Sequence, residues 1–132
     1  MQAIPSLLKV SDIMTRDVHA LREGDSLSEA DLEMRLGHFR HVPVVRSGNF
    51  LVGMVSSFDI LAGLAKNVDR FVSVDELMVS AVDTVRPDAP ARVAATLLVE
   101  KKVGAIPVVD DIGRLVGIVS EREFVRIALS VL

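Results

Sequence analysis

The chain repeats itself at an interval of 64 residues, and this repeat restricts the possible fold more than any other feature. Residues 10–65 align with residues 74–129 without a gap, with thirteen identities in fifty-six positions. The identities include Pro43 with Pro107, and a glycine pair also falls in register. Shared apolar composition would align valines by chance, but it would not align prolines and glycines. The sequence therefore predicts two copies of one supersecondary unit.

Within each copy, the spacing of apolar residues predicts an extended segment, a helix, a β-hairpin and a second helix. In the first copy these elements fall at 18–21, at 26–37, at 42–45 with 50–56, and after Ser56. In the second copy they fall at 82–85, around 91–98, at 106–109 with 115–120, and after Ser120. The sequence thus predicts a mixed α/β (α+β) fold of tandem β-α-β-β-α units. Its two small three-stranded sheets are expected to pack in pseudo-two-fold symmetry, because one unit alone cannot cover both sheet faces.

The repeat also sets the expected domain boundaries. Residues 1–65 form the first repeat, residues 66–73 a connector and residues 74–132 the second repeat. We expect the two repeats to work together as one module.

Composition narrows the functional classes. The 15 basic and 18 acidic residues are scattered along the chain, which argues against binding of a nucleic-acid polymer. The absence of cysteine removes disulfides and thiolate chemistry. No signal peptide or membrane span is recognisable, so we expect a cytoplasmic protein that does not bind membranes. A mean hydropathy of +0.42 indicates that another subunit covers part of the apolar surface, so a homodimer is expected.

A Ser-x-x-acid motif begins the last helix of each copy, as Ser56 with Asp59 and as Ser120 with Glu123. This spacing is typical of an N-terminal capping box, which stabilises a helix by about 1 kcal/mol. A carboxylate at this place can also accept hydrogen bonds from the two hydroxyls of a ribose, and the helix N-terminus favours a phosphate. Capping is the simpler interpretation of the spacing alone. Both roles can coexist, because a carboxylate has two oxygens.

Three short segments occur in the same order in both copies. In the first copy they are Asp12-Ile13-Met14-Thr15, Val42-Pro43-Val44-Val45 and Gly53-Met54-Val55-Ser56-Ser57-Phe58-Asp59-Ile60. In the second they are Leu77-Met78, Ile106-Pro107-Val108-Val109-Asp110 and Gly117-Ile118-Val119-Ser120-Glu121-Arg122-Glu123. This ordered set resembles the CBS domain, a family named after cystathionine β-synthase, and a pair of such domains resembles a Bateman module. The resemblance implies a regulatory module that binds AMP, ADP, ATP or S-adenosylmethionine in clefts between the repeats and signals to a partner protein.

The resemblance further implies two ligand clefts. The first comprises Ser56, Phe58 and Asp59 of the first copy with Asp83, Val103, Gly104, Ala105 and Ile106 of the second. The second comprises Thr15, His19, Arg40, His41 and Val42 with Ser120, Arg122 and Glu123. In the first cleft, the backbone before Pro107 would contact the adenine edge, and Gly104 would allow its close approach. In the second, Glu123 replaces the family's aspartate, so this cleft either prefers a phosphorylated ligand, held by its arginines and histidine, or stays empty.

Other chemistry finds little support in the sequence. His19, His38 and His41 lack a specified acidic fourth ligand, so no metal site is expected. No nucleophile elbow, phosphate-binding glycine loop or metalloprotease helix is present, so we expect neither catalytic residues nor a cofactor. Two alternatives stay open: a ligand-independent dimerisation or interaction module, which the replacement at Glu123 favours, and a small enzyme acting on a nucleotide.

Overall fold

The computed structural model describes residues 8–66 and 72–132, so the middle of the predicted connector, residues 67–71, lies outside the described residues. The helices are α1 (Val10–Ile13), α2 (Leu27–Gly37), α3 (Ser57–Lys66), α4 (Ala91–Lys101) and α5 (Glu121–Val131), with a 3-10 turn at Val74–Glu76. The strands are β1 (Leu21–Arg22), β2 (His41–Arg46), β3 (Phe50–Ser56), β4 (Ala105–Val109) and β5 (Leu115–Ser120). Within this part of the chain, no helix has the length and apolar character that crossing a bilayer requires.

The described residues pack as two units whose limits differ from those of the sequence repeats. The middle unit falls within residues 19–82, and the terminal unit combines residues up to 18 with residues from 83 onward. The first segment of each repeat therefore packs in a unit with the other repeat. For example, the Val10 N–H donates to the Ala89 carbonyl at 2.9 Å. The repeat boundaries at residues 65 and 74 stay a prediction. The packing units instead divide the chain after residue 18 and after residue 82.

The middle unit contains the three-stranded sheet in the order β1-β2-β3. Strand β1 runs parallel to β2, and β2 runs antiparallel to β3. Helix α2 begins after Ser26, whose hydroxyl accepts a hydrogen bond from the Glu29 N–H at 3.1 Å, as a capping box requires. The apolar core of this unit is formed by Leu21, Leu27, Ala30, Met34, Val42, Val44, Val55, Ile60 and Val74.

The terminal unit contains a sheet of two strands, β4 and β5, where three strands were expected. The predicted extended segment at 82–85 makes a single parallel bridge, between Val85 and Val108. In the middle unit, the Glu23 N–H extends the equivalent ladder by donating to the Val45 carbonyl at 2.8 Å. Pro87 occupies the position of Glu23 in the second repeat and has no N–H to donate, so the ladder stops. The core of this unit is formed by Val10, Met14, Val85, Ala94, Leu98, Ile106, Val108 and Val119.

A glycine and a methionine that the repeat keeps identical have the same role in both units. A Cβ atom added to Gly53 would lie 2.7 Å from the Met78 sulfur, and one added to Gly117 would lie 2.6 Å from the Met14 sulfur. Both distances are far shorter than van der Waals contact, so neither glycine can accept a side chain while the methionine keeps its place. The identities at these positions thus reflect a packing requirement that both units share.

Candidate functional site

The Ser56-Asp59 motif lies where β3 ends and α3 begins, in the middle unit. The Ser56 hydroxyl accepts from the Asp59 N–H at 3.0 Å, and Asp59 Oδ2 accepts from the Ser56 N–H at 3.1 Å. This reciprocal pair is a complete capping box, so the structural role predicted from the spacing is confirmed. Asp59 is half-buried, and its Oδ1 atom has no hydrogen-bond partner among residues 8–66 and 72–132. One carboxylate oxygen therefore caps the helix and the other keeps its acceptor capacity.

Other predicted site residues lie close to this motif in the same unit. The Ser57 N–H donates to the Arg40 carbonyl at 2.8 Å, and His41 pairs with Ser56 across β2 and β3. Val42 follows in β2 with its side chain in the core, so only its backbone is available to a ligand. Phe58 is 75% exposed, which leaves an aromatic ring at the solvent surface beside the motif. Residues that the family resemblance assigned to two different clefts thus meet at one end of this sheet.

The remaining histidine of the second predicted cleft is engaged elsewhere in the middle unit. The His19 ring stacks on Phe39 with a centroid separation of 4.8 Å, and its Nε2 atom lies 3.3 Å from Glu33 Oε2. These contacts hold His19 against the C-terminal half of α2. No group of three or more metal-ligating side chains occurs in the part of the chain that the structure describes.

A groove of about 670 Å³ between α2 and α3 was not foreseen from the sequence. It is lined by Asp31, Met34, Arg35, His38, Phe39, Arg40, Ser57, Ile60 and Leu61. Its apolar floor comes from core positions of both helices, and its rim carries two arginines and one aspartate. The helical spacing identified the floor residues as core, but the open space between the helices depends on how they pack.

The second motif, Ser120 with Glu123, lies at the junction of β5 and α5 in the terminal unit. The Ser120 hydroxyl donates to Glu123 Oε2 at 2.5 Å, and the Thr15 hydroxyl donates to Glu123 Oε1 at 2.9 Å. Glu123 is only 7% exposed. Unlike Ser56, the Ser120 side chain makes no capping hydrogen bond to the helix backbone. The structure thus brings together Thr15, Ser120 and Glu123, as the resemblance implied, but both carboxylate oxygens already have protein partners.

The predicted first-cleft residues of the second repeat all belong to the terminal unit. Val103 and Gly104 lead into β4, where Ala105 and Ile106 are buried and Ala105 pairs with Ser120. Asp83 lies earlier in the chain and is exposed. The residues around the start of β4 therefore lie beside the second motif, at the same end of their sheet.

Two repeats, each with a helix, a β-hairpin and a second helix, and each with a Ser-x-x-acid motif between a strand and a helix, define the class to which this protein belongs. The family model for the CBS domain matches residues 10–66 and again residues 74–130. The chain belongs to the CBS domain family. The resemblance found in the sequence is confirmed, and so is the predicted fold class.

Comparison with individual proteins gives the same family. The chain is 37% identical over 118 residues to the homoserine O-acetyltransferase of Methanohalobium evestigatum, an alignment that covers 89% of this chain and 24% of that protein. It therefore spans about a quarter of the length of this curated relative. The CBS domain pair of protein MJ0100, solved with 5'-methylthioadenosine and S-adenosyl-L-methionine, has a TM-score of 0.84 and 28% identity, covering 96% of this chain and 99% of that one. CBSX2, solved with AMP, also has a TM-score of 0.84, with 31% identity over 93% and 97% of the two chains.

Proposed function

We propose that the chain is a regulatory module that binds one adenosine-containing ligand at the Ser56-Asp59 motif and signals its presence to a partner protein. AMP, ADP, ATP and S-adenosylmethionine are the candidate ligands. Family membership supports the proposal, as do the adenosine-containing ligands of MJ0100 and CBSX2. The observation that carries it is the Oδ1 atom of Asp59, which the capping box leaves available.

The chemistry of the motif suits a ribose. The two ribose hydroxyls are donors, and a carboxylate is an acceptor that forms hydrogen bonds about twice as strong as those between neutral groups. The N-terminus of α3 adds a favourable field for a phosphate on the same ligand. The exposed ring of Phe58 offers an apolar surface to a base. The family resemblance assigns Asp83 and residues 103–106 to the adenine side of the ligand, and that assignment stays a prediction.

The Ser120-Glu123 motif is not part of this ligand site in our proposal. A hydrogen bond to a charged group contributes about 1.5–3 kcal/mol, and a ribose at Glu123 would have to displace two of them. Because the Glu123 carboxylate is also buried, an adenosine ligand would gain little binding free energy in the second predicted cleft. We therefore expect one ligand per chain, and we expect the cleft assigned to Arg122 and Glu123 to stay empty.

Regulation would follow from a population shift. A ligand that binds one conformation more tightly than another increases the population of that conformation, and a partner can recognise the surface that changes. The acetyltransferase activity named for the relative belongs to a protein of which this chain spans 24%. That the chain itself is not an enzyme stays a prediction.

Native mass spectrometry of freshly purified protein tests the proposal most directly. A retained small molecule would report its own mass and its number per chain. Calorimetric titration with each of the four ligands should then give a stoichiometry of one. A ligand present at 100 times its dissociation constant should stabilise the fold by about 2.7 kcal/mol, which thermal unfolding would detect. If none of the four ligands binds at millimolar concentration, the ligand-independent interaction module is the better interpretation, since Glu123 already shows one motif without a free acceptor.

A further inference from the structure

The backbone beside the two Ser-x-x-acid motifs follows the same pattern in both units. In the middle unit, the Met54 N–H donates to the Val79 carbonyl at 2.9 Å, and the Val79 N–H donates to the Met54 carbonyl at 2.9 Å. In the terminal unit, Thr15 and Ile118 exchange the same pair of hydrogen bonds, at 2.9 and 3.0 Å. The strand residue of each bridge lies two positions before the serine of its motif. Val79 and Thr15 therefore occupy equivalent backbone positions beside their motifs.

The side chains at this shared position differ in what they can donate. The Thr15 hydroxyl donates to Glu123 Oε1 at 2.9 Å, and the Ser120 hydroxyl donates to the other carboxylate oxygen. Val79 has no donor, and Asp59 keeps one oxygen available within the part of the chain that the structure describes. A ribose would offer hydroxyl donors to such a carboxylate, and Thr15 offers the same chemical group. The Thr15 hydroxyl thus takes the part of a ribose hydroxyl at Glu123.

The start of each helix shows the same difference. The Ser56 hydroxyl accepts from the Asp59 N–H at 3.0 Å and so caps α3. The Ser120 hydroxyl instead donates to Glu123 and makes no capping hydrogen bond to α5. A glutamate carboxylate lies one methylene farther from its own backbone than an aspartate carboxylate does, so it extends past its own turn to Thr15. The length of the acid and the hydroxyl at residue 15 therefore act together.

We propose that Thr15 and Glu123 form an autoinhibitory contact that closes a second ligand site in the terminal unit. The backbone of that site is in place, and the Thr15 hydroxyl occupies the acceptor that a ribose would use. Because the backbone bridge to Ile118 already holds Thr15 there, its hydroxyl competes with a ligand without losing translational freedom. The ligand class, an adenosine-containing molecule, is taken from the proposed function, on which this assignment rests. The number of ligands per chain is then set by the side chains of residues 15 and 123.

The variant Thr15→Val/Glu123→Asp tests this contact, because it gives the terminal motif the two side chains that the middle motif has. Calorimetric titration with AMP, ADP, ATP and S-adenosylmethionine in turn should find one more site per chain than in the unaltered protein. The matched control is Thr96→Val/Glu121→Asp, which makes the same chemical changes at two exposed positions of the terminal unit. The control should gain no site. Urea unfolding of both variants shows that each is folded.

A second arm of the experiment isolates the opened site. Adding Asp59→Asn to Thr15→Val/Glu123→Asp removes the contribution of the middle motif, so the binding that remains belongs to the terminal motif. This triple variant should bind ligand more tightly than Asp59→Asn alone. If the double variant does not fold, Glu123→Asp alone withdraws the carboxylate from Thr15, and the same gain of a site is expected.

A folded variant that binds no more ligand than the unaltered protein would overturn the autoinhibitory contact. One site in both proteins would do so while leaving the proposed function intact. Binding by the double variant together with none by the unaltered protein would support the closed site and contradict the proposed function. Absence of binding in both would overturn both proposals, so their failures can be told apart.

Discussion

Asp59 and Glu123 occupy corresponding positions of the repeat, yet their carboxylates have different partners. Asp59 bonds to the backbone of its own turn and keeps one oxygen available. Glu123 is one methylene longer and accepts hydrogen bonds from two hydroxyls, one of them on Thr15, 108 residues away. In the repeat, Val79 corresponds to Thr15 and has no hydroxyl to offer Asp59. Two differences between the copies, in the length of the acid and in the donor facing it, are therefore enough to turn a free acceptor into an internal hydrogen-bond centre.

Replacing Asp59 should have the largest effect on ligand binding. Asp59→Asn keeps the shape of the side chain but removes the charge that strengthens its hydrogen bonds to a ribose. The loss of about 1.5–3 kcal/mol corresponds to roughly a 10- to 150-fold weaker affinity, measured by calorimetric titration. Because the change also weakens a helix cap, Ser26→Ala is the matched control, since it removes the cap of α2 at a cost of about 1 kcal/mol. Ser26→Ala should bind ligand normally, and unchanged binding by Asp59→Asn would contradict the assignment.

Replacing Glu123 should change stability and leave ligand affinity unaltered. In Glu123→Ala, the exposed Thr15 hydroxyl and the half-buried Ser120 hydroxyl lose the buried carboxylate that accepts from them, so the free energy of unfolding should fall by about 1–3 kcal/mol. Urea unfolding measures this change, and titration of the same sample measures binding. Glu121→Ala, an exposed neighbour on α5, should stay within about 0.5 kcal/mol of the unaltered protein. A loss of affinity as large as that of Asp59→Asn would show that the two motifs act alike.

Replacing Thr15, which donates to Glu123, should have a smaller effect on stability. Thr15→Val, which copies the residue at the corresponding position of the other repeat, removes one of the two hydrogen bonds to Glu123. The free energy of unfolding, measured in urea, should fall by about 1 kcal/mol. Thr96→Val is the control, because the exposed Thr96 hydroxyl donates only to the Arg92 carbonyl within its own helix, and the change in the free energy of unfolding should be close to zero. Equal losses in the two variants would mean that the bond between Thr15 and Glu123 contributes nothing specific.

The smallest effect concerns the turn between β4 and β5. The backbone N–H of Arg114, which donates to Asp110, lowers the pKa of that carboxyl below its ordinary value. A lowered pKa in the folded state stabilises the fold above the ordinary aspartate pKa, and this contribution is lost as the pH falls through the folded value. Asp110→Asn should therefore lower the unfolding midpoint slightly at neutral pH, and the difference should vanish in acid. A difference that persists or grows in acid would refute this account.

Much of this architecture was predictable because it depends on residues close together in the chain. The hydroxyl caps at Ser26 and Ser56 need only a serine three residues before the residue whose N–H it caps. The single bridge at Val85 was also within reach of sequence reasoning, because Pro87 removes a donor whatever surrounds it. The exchange of first segments between the repeats could not be predicted from the sequence, because both segments carry apolar side chains and either unit would bury them. The groove between α2 and α3 likewise depends on helix packing that periodicity does not describe.

The family, the order of the elements and the two places where an acid follows a serine at a helix start could all be inferred from the amino-acid sequence. These features follow from a 64-residue repeat and from local periodicity, both of which are written along the chain. Which of the two acids keeps a free acceptor oxygen could be read only from the folded chain. That outcome depends on whether folding brings a hydroxyl to the carboxylate, and Thr15 is brought to Glu123 across 108 residues, whereas no such donor reaches Asp59 among the described residues.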